Sequence, residues 1–479
     1  MGNEITPAID PFAIMLEANR LFNHEIYERW TKSDNVWRNA WALDTLLDYF
    51  AARHVDPAAY GVLPLNALDP TNKGNWWDDF GWIGIAALRA ADQINDFHQH
   101  PEYRDRFLKI AINAWAYMYG PGWSKSNKAI YPFTDTDLPG WKQFEADHTP
   151  NIGAPNVWKD IAQTWKGINE NQTMERKPRY SPGGVWNSPI TDSGQPKLVR
   201  HYQQRINYLD TYVSPIQNTV TNVVYAILTL RIFQASSKGA FSNVFSESTL
   251  DAKACREAWK AQMGWFDQWM IQTKGDESLQ RDLDKTSSLV RERVSTFNEV
   301  GGTRYWDASY CKDWVWTGDQ GLLLGALREG KAAGYVESKV FDLYPNIVEG
   351  VFQNGYKPRT YDRTIEGSFL LPWIVVGSKD PYNEEALGLY YDADYQTGTG
   401  VFMRYLLQAY KAEPALVQKY KDTIMKCANN IIKKGFGTQP DPEGVCDAFT
   451  PSGDSVDEMT AYVNRLSVLL LAIEMSRKR

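Results

Sequence analysis

Two adjacent carboxylic acids, Asp78 and Asp79, stand among tryptophans at the start of an apolar segment. The tryptophans are Trp76, Trp77 and Trp82. Two carboxyl groups side by side do not ionise equally, because like charges repel and bulky apolar neighbours remove hydration. One group then serves as an acid while the other stays ionised, which is the arrangement that cleaves glycosidic bonds. Aromatic rings add flat apolar faces for sugar rings, so this segment predicts chemistry on a carbohydrate.

The spacing of the two acids fits this chemistry if the segment is helical. Adjacent residues on a helix diverge by about 100°, yet their carboxyl groups can lie about 5 Å apart, as in glycosidases that retain the anomeric configuration. A simpler explanation is that acids in a first helical turn cap the helix and interact with its dipole, by under about 1 kcal/mol. The surrounding tryptophans favour the chemical interpretation.

Other polar and aromatic side chains lie where they could contact the same sugar. Four polar residues stand where further apolar helices are expected to begin, and each can either bind a sugar hydroxyl or cap its helix. Trp77 lies beside the acid pair, and Trp186 follows a Gly-Gly pair whose backbone permits a tight turn. The expected substrate-binding residues are Trp77, Trp186, Asn218, Asn222, Asp319 and Gln320.

The composition excludes several classes of function. The formal net charge is -7 and no basic stripe is present, so nucleic acid and anionic membranes are not expected partners. The 19 tryptophans and 26 tyrosines favour an aromatic-lined ligand groove. The four cysteines and six histidines lack the spacing of metal ligands, so no metal and no organic cofactor is expected. No apolar stretch is long enough to span a membrane.

Apolar residues recur with a helical period through most of the chain. The predicted helices span residues 12–29, 36–52, 79–94, 103–119, 219–234, 248–272, 318–333, 337–354, 397–410, 414–433 and 456–477. Strand-like alternation is sparse, so the predicted fold class is all-α. Residues 120–215 are irregular, with one short helix expected at 157–165. An irregular stretch of this length is usually functional, so we expect it to form loops around the active site.

The helices alternate between two kinds. Helices that begin with polar residues and then turn apolar nearly all round are each followed by a more amphipathic helix. Apolar helices belong inside and amphipathic helices outside, which predicts an α/α toroid whose inner helices present their first turns to one mouth. No composition shift marks a linker, so residues 1–479 are expected to form a single domain. An irregular bundle or a solenoid is the alternative.

A set of short motifs, in order, resembles glycoside hydrolase family 76, the α-1,6-mannanases. The motifs are Trp37-Arg38-Asn39-Ala40, Trp77-Asp78-Asp79-Phe80-Gly81-Trp82, Gly183-Gly184-Val185-Trp186, Gln217-Asn218-Thr219-Val220-Thr221-Asn222, Asp319-Gln320-Gly321 and Gly400-Val401-Phe402-Met403-Arg404-Tyr405-Leu406. They cover the chain from about residue 37 to 406. The chain departs from the family at Gln217, Thr221 and Asp319, where the family has Lys, Ser and more often Asn.

The resemblance implies an (α/α)6-type toroid with its active site at the mouth. It implies that Asp78 is the nucleophile and Asp79 the general acid/base in retaining hydrolysis of α-1,6-mannosidic bonds. The departures affect residues expected to face the sugar, and therefore the preference of the subsites more than the chemistry. The implied partner is an α-mannan polysaccharide or its oligosaccharides. Because mannan is too large to enter a cell, we expect an exported protein, and we expect a monomer.

Three other functions fit parts of the same pattern. A non-catalytic glycan-binding protein can be helical and rich in tryptophan, but binding alone does not require the acid pair. A toroid epimerase or lyase usually depends on histidine or tyrosine bases, and the histidines here lie away from the polar helix starts. A transglycosylase would share every residue named and differ only in whether water or a sugar takes the intermediate.

Overall fold

The computed structural model describes the helical body of the protein and three short strand pairs. The described residues are 10–32, 35–57, 77–97, 101–119, 197–198, 212–213, 218–241, 252–275, 290, 297–300, 303–306, 314–354, 374–376, 397–434 and 458–477. Most of the expected loop region 120–215, with its predicted helix at 157–165, lies outside these residues.

Helices account for nearly all of the described residues. They are α1 (Pro11–Arg20), α2 (Tyr27–Lys32), α3 (Val36–Arg53), α4 (Trp77–Phe97), α5 (Pro101–Tyr119), α6 (Thr219–Ser237), α7 (Ala252–Gly275), α8 (Thr317–Ala333), α9 (Tyr344–Asn354), α10 (Gly398–Ala412), α11 (Pro414–Gln418), α12 (Lys421–Lys434) and α13 (Glu458–Ser476). A π-helical turn, Leu21–Ile26, joins α1 to α2, and a 3-10 helix, Lys339–Leu343, precedes α9.

Six of these helices form a closed ring. Each packs against the next in the order α3, α4, α6, α8, α10 and α13, and α13 returns to α3. Residues at similar distances from the helix starts contact each other in adjoining helices. Arg231 of α6 pairs with Glu329 of α8. The guanidinium of Arg477, just beyond α13, donates to the carbonyl of Ala52 near the end of α3. The six helices therefore run parallel, with all their first turns at one end.

The remaining helices form an outer layer against this ring. Helix α5 packs on α4 and α6, α7 on α6, α9 on α8, α12 on α13, and α1 on α13 and α12. Side chains explain the two layers: every residue from Thr219 to Leu230 in α6 is buried, whereas α7 exposes Arg256, Glu257 and Lys260 on its outer face. The predicted all-α class and α/α toroid are confirmed.

Short strands occur in antiparallel pairs that the sequence analysis did not predict. They are β1 (Lys197–Leu198) with β2 (Tyr212–Val213), β3 (Phe297–Val300) with β4 (Thr303–Trp306), and β5 (Trp314–Trp316) with β6 (Ile374–Val376). The register pairs Val300 with Thr303, so Gly301 and Gly302 alone connect β3 to β4. Gly-Gly is a recognised signal for a two-residue hairpin.

Three predicted helices are divided in the structure, and the first is 12–29, which the π-helical turn Leu21–Ile26 separates into α1 and α2. The segment predicted as 337–354 is a 3-10 helix up to Leu343, and α9 begins at Tyr344. Pro345 explains the change, since a proline fits the first turn of an α-helix but has no N–H to continue one from upstream. The segment predicted as 414–433 is interrupted by a turn at Lys419 and Tyr420, which separates α11 from α12.

Candidate active site

The first turn of α4 carries the acid pair at the end of the ring where the six helices begin. Asp78 and Asp79 are the second and third residues of the helix, and both are partly exposed. Asp78 precedes Gly81 by three residues, and Gly81 packs on α6. Asp79 precedes Trp82 by three residues, and the Trp82 ring meets the Trp37 ring of α3 with centroids 6.0 Å apart. Residues three and four apart share a helix face, so Asp78 stands one turn before both Gly81 and Trp82, between the sides of α4 that meet α6 and α3.

Tryptophan side chains pack around this turn, and most of their surface is buried against other side chains. Trp77 is 7% exposed and packs on Phe80, with ring centroids 5.7 Å apart. Trp82 is buried beneath the pair. Trp77 therefore has only a small part of its ring available to a sugar, and its role in binding stays a prediction. Trp186 lies outside the described residues.

The first turn of α6, beside α4, is fixed by a chain of amide hydrogen bonds. The Asn218 side chain accepts from the Thr221 N–H at 3.3 Å and caps the helix. Asn222 Nδ2 donates to the Asn218 carbonyl at 2.7 Å, and Asn222 Oδ1 accepts from Gln262 Nε2 at 2.9 Å. Asn222 thus holds the turn that carries Asn218. Gln262 lies on the outer helix α7, and sequence reasoning did not identify it.

The first turn of α8 carries the other two predicted polar residues. Asp319 is fully buried there. Gln320 is also fully buried, and its amide binds the backbone on both sides of Val290: Nε2 donates to the Val290 carbonyl at 2.6 Å and Oε1 accepts from the Val290 N–H at 2.8 Å. Gln320 Nε2 also donates to the Trp316 carbonyl at 3.1 Å. Gln320 therefore attaches Val290 to the ring.

The structure thus brings most of the predicted residues to one end of the ring. Asp78, Asp79 and Trp77 lie on α4, Asn218 and Asn222 begin the neighbouring α6, and Asp319 and Gln320 begin α8, the next helix around. Direct contact of these side chains with a sugar stays a prediction. Within the described ranges, no group of histidine, cysteine, aspartate and glutamate side chains could hold a metal ion. No described helix is long and apolar enough to cross a membrane.

A buried charged cluster lies toward the other end of the ring. Arg89 of α4 pairs with Asp44 and with Asp48 of α3, the latter at 2.8 Å. Arg404 of α10 also contacts Asp44, and burial lowers the pKa of this guanidinium. Arg231 Nη2 lies 2.5 Å from Glu329 Oε1. Asp48, Arg89, Arg231 and Glu329 each stand twelve residues beyond the first residue of their helix, so these four lie at one level of the ring below the acid pair, and we call this level its base.

The same fold occurs in solved structures of a mannan-degrading enzyme. One is the α-1,6-mannanase of glycoside hydrolase family 76 from Salegentibacter sp. HEL1_6. It aligns with this chain at 15% identity and a TM-score of 0.51, and the alignment covers 97% of this chain and 99% of the mannanase. An inactive variant of that enzyme, with two consecutive aspartates changed to asparagine and α-1,6-mannotriose bound, aligns over 98% and 100% of the two chains at 14% identity and a TM-score of 0.51. A variant with the same pair changed to alanine, bound to a mannotetraose, gives a TM-score of 0.50 at 14% identity and equal coverage. No family model and no curated protein matches the sequence.

Proposed function

We propose that this protein is a glycoside hydrolase that cleaves α-1,6-mannosidic bonds with retention of configuration. The observation that carries the proposal is the adjacent pair Asp78 and Asp79, partly exposed in the first turn of a ring helix at the end where all six ring helices begin. The α-1,6-mannanase that shares this fold is inactive when two consecutive aspartates are replaced. This chain and that mannanase therefore share the fold and an adjacent pair of aspartates, although their sequences are only 14–15% identical.

The proposed reaction has two steps on one sugar. Asp78 attacks the anomeric carbon and forms a glycosyl ester while Asp79 donates its proton to the departing oxygen. Asp79, now a carboxylate, removes a proton from a water molecule, and that water breaks the ester and releases the sugar. Asp79 regains its proton and Asp78 its charge, so both groups are restored. The reaction requires no metal and no organic cofactor.

Neighbouring helices supply the proposed sugar contacts. Asn218 and Asp319 stand at the starts of the next two ring helices after α4, at the same end of the ring as Asp78, and contact of their polar groups with sugar hydroxyls stays a prediction. Asn222 and Gln320 act by holding these two turns in place, as their hydrogen bonds to backbone indicate. Trp77 and Trp186 complete the expected binding set. The natural substrate is α-mannan or its oligosaccharides, met outside the cytoplasm by a monomeric protein.

The first test compares the parent protein with Asp78→Asn and Asp79→Asn on linear α-1,6-mannan, with product sizes followed by chromatography. We expect a ladder of oligosaccharides from the parent, none from Asp78→Asn, and a rate about 10²–10⁴-fold lower from Asp79→Asn. The control is Asp92→Asn, an exposed acid further along the same helix, which should leave the rate unchanged. Proton NMR of the first product should show the α-anomer.

Each alternative function gives a different outcome in this assay. Binding of mannan without cleavage by the parent would indicate a glycan-binding protein. Products longer than a defined mannotetraose substrate would indicate a transglycosylase. A β-anomer as first product would overturn the retaining mechanism, and neither binding nor cleavage would overturn the mannan assignment.

A further inference from the structure

Helix α4 approaches α6 through glycines that leave no room for a side chain. A Cβ at Gly81 would overlap Val224 of α6, with its methyl group in direct collision and its Cβ only 2.7 Å away. A Cβ at Gly84, one turn deeper, would collide with the tip of Leu228 and lie 3.2 Å from Ala114. Contacts of a real Cβ shorter than about 3.4 Å are rare, so both glycines lie where the two ring helices approach most closely.

The two glycines differ in what opposes them. Leu228 presents the end of a flexible side chain, which can turn away to another rotamer. Val224 is branched at Cβ and has one strongly preferred rotamer in a helix, and its Cβ itself lies too close to the added atom. A side chain at Gly84 can therefore be accommodated by Leu228, whereas a side chain at Gly81 must separate the helices.

Both helices are held below their first turns. In α6 the first turn is bound to α7 through Gln262 and Asn222, and the middle is bound to α5, since Trp115 Nε1 donates to Thr229 Oγ1 at 2.9 Å. In α4, Trp82 packs on Trp37 and, lower down, Arg89 pairs with Asp48 of α3. A collision at Gly81 would therefore separate the first turns of α4 and α6, which lie above the contacts of Trp115 and Arg89.

We propose that Gly81 is a positioning residue for Asp78, because its missing side chain sets the distance between this carboxylate and the first turn of α6. This inference rests on the proposed function. Asp78 stands three residues before Gly81, one turn nearer the mouth on the same face. Any separation of the helices at Gly81 therefore also increases the distance between Asp78 and α6. A displacement of about 1 Å at a reacting group can lower the rate about 10²-fold.

The experiment adds a side chain at Gly81 on α4 and removes the opposing side chain of Val224 on α6. Gly81→Ala should lower kcat about 10²-fold with little change in KM. Gly84→Ala is the matched control on the same helix and should keep kcat within about threefold. Val224→Gly alone should lower the unfolding temperature but keep kcat. The double variant Gly81→Ala/Val224→Gly should recover at least about tenfold of the lost kcat, because the space removed on α4 is restored on α6.

A merely structural role would make kcat follow the unfolding temperature across these four variants, and that outcome overturns the proposal. So would a Gly81→Ala variant with parental kcat, or a double variant without recovery. An inactive parent would instead defeat the proposed function. The spacing claim is then decided by a crystal structure of Gly81→Ala: a shift of Asp78 relative to α6 by about 1 Å supports it, and unchanged helix packing refutes it.

Discussion

Arg231 and Glu329 form a buried ion pair that joins α6 to α8 at the base of the ring. The pair is bidentate, with Arg231 Nε 3.0 Å from Glu329 Oε2 and Nη2 2.5 Å from Oε1. Burial alone would raise the pKa of Glu329, but Arg231 and then Arg328 hold the pKa of this carboxyl below its ordinary value. Removal of one partner from such a pair leaves an uncompensated buried charge.

We expect Glu329→Gln to lower the free energy of unfolding at pH 7 by about 3–5 kcal/mol. Because the pKa of Glu329 is lowered in the folded protein, its contribution is complete above the unfolded value of 4.5 and is lost as pH falls through the folded value. The difference between parent and variant should therefore narrow below about pH 4.5. Urea unfolding monitored by circular dichroism at pH 7 and at lower pH measures both effects.

Glu337→Gln serves as the control for this measurement. Glu337 is exposed beyond the end of α8, and surface changes of this kind usually stay within about 0.5 kcal/mol. Equal effects at Glu329 and Glu337, or a difference that does not change with pH, would contradict a stabilising ion pair at the base of the ring.

At the scale of the helices, α7 supports the mouth through one side chain. Gln262 lies on the buried side of this outer helix and donates to Asn222, which in turn binds the carbonyl of Asn218. The amphipathic pattern predicted that α7 packs on the ring, but it did not single out Gln262. Its partner stands 40 residues away in the chain, and a helical period shows which face is buried without showing what a polar group on that face meets.

We expect Gln262→Leu to lower the free energy of unfolding by about 1–3 kcal/mol, because Asn222 Oδ1 then loses its buried donor. Hydrogen exchange measured by mass spectrometry should also become faster in the first turn of α6. Lys260→Ala, an exposed neighbour on α7, should change neither quantity. Unchanged exchange in Gln262→Leu would mean that the first turn of α6 does not depend on this bond.

The sequence predicted the helices and their alternation well because burial is a local pattern. Thr219 to Leu230 reads as apolar nearly all round, and the structure buries all of it. The strand pairs and helix divisions were missed, although Gly301-Gly302 and Pro345 gave local signals for the hairpin and for the start of α9. The charged cluster could not be paired in advance, since Arg231 and Glu329 are 98 residues apart.

At the scale of the whole molecule, the parallel ring aligns six helix dipoles. Their positive ends meet at the mouth, where Asp78, Asp79 and Asp319 lie, and their negative ends meet at the opposite end. The acids at the mouth agree with the direction of the dipoles, whose effect is confined to the first and last turns. The buried arginines at positions 89, 231 and 404 stand six or more residues before the ends of their helices, so they are balanced by the acids at positions 44, 48 and 329 and not by the dipoles.

We expect deletion of residues 458–479 to abolish cooperative unfolding, because α13 packs on both α10 and α3 and its loss exposes apolar faces of both. Its buried residues include Val463, Leu466 and Leu470. Differential scanning calorimetry would show the loss of a sharp transition. Deletion of residues 478–479 alone is the control and should leave the transition in place. A sharp transition in the longer deletion would mean that five ring helices are sufficient.

The closure of the ring by its last helix also sets the order of events during synthesis. Helices α3 to α10 can assemble as they leave the ribosome, but α3 keeps an open apolar side until α13, some 400 residues later, has been made. Contacts between such distant segments form slowly, and chains held in incomplete states expose surfaces that aggregate. The ring therefore closes only once α13 has been translated, and until then α3 lacks one of its two neighbours in the ring.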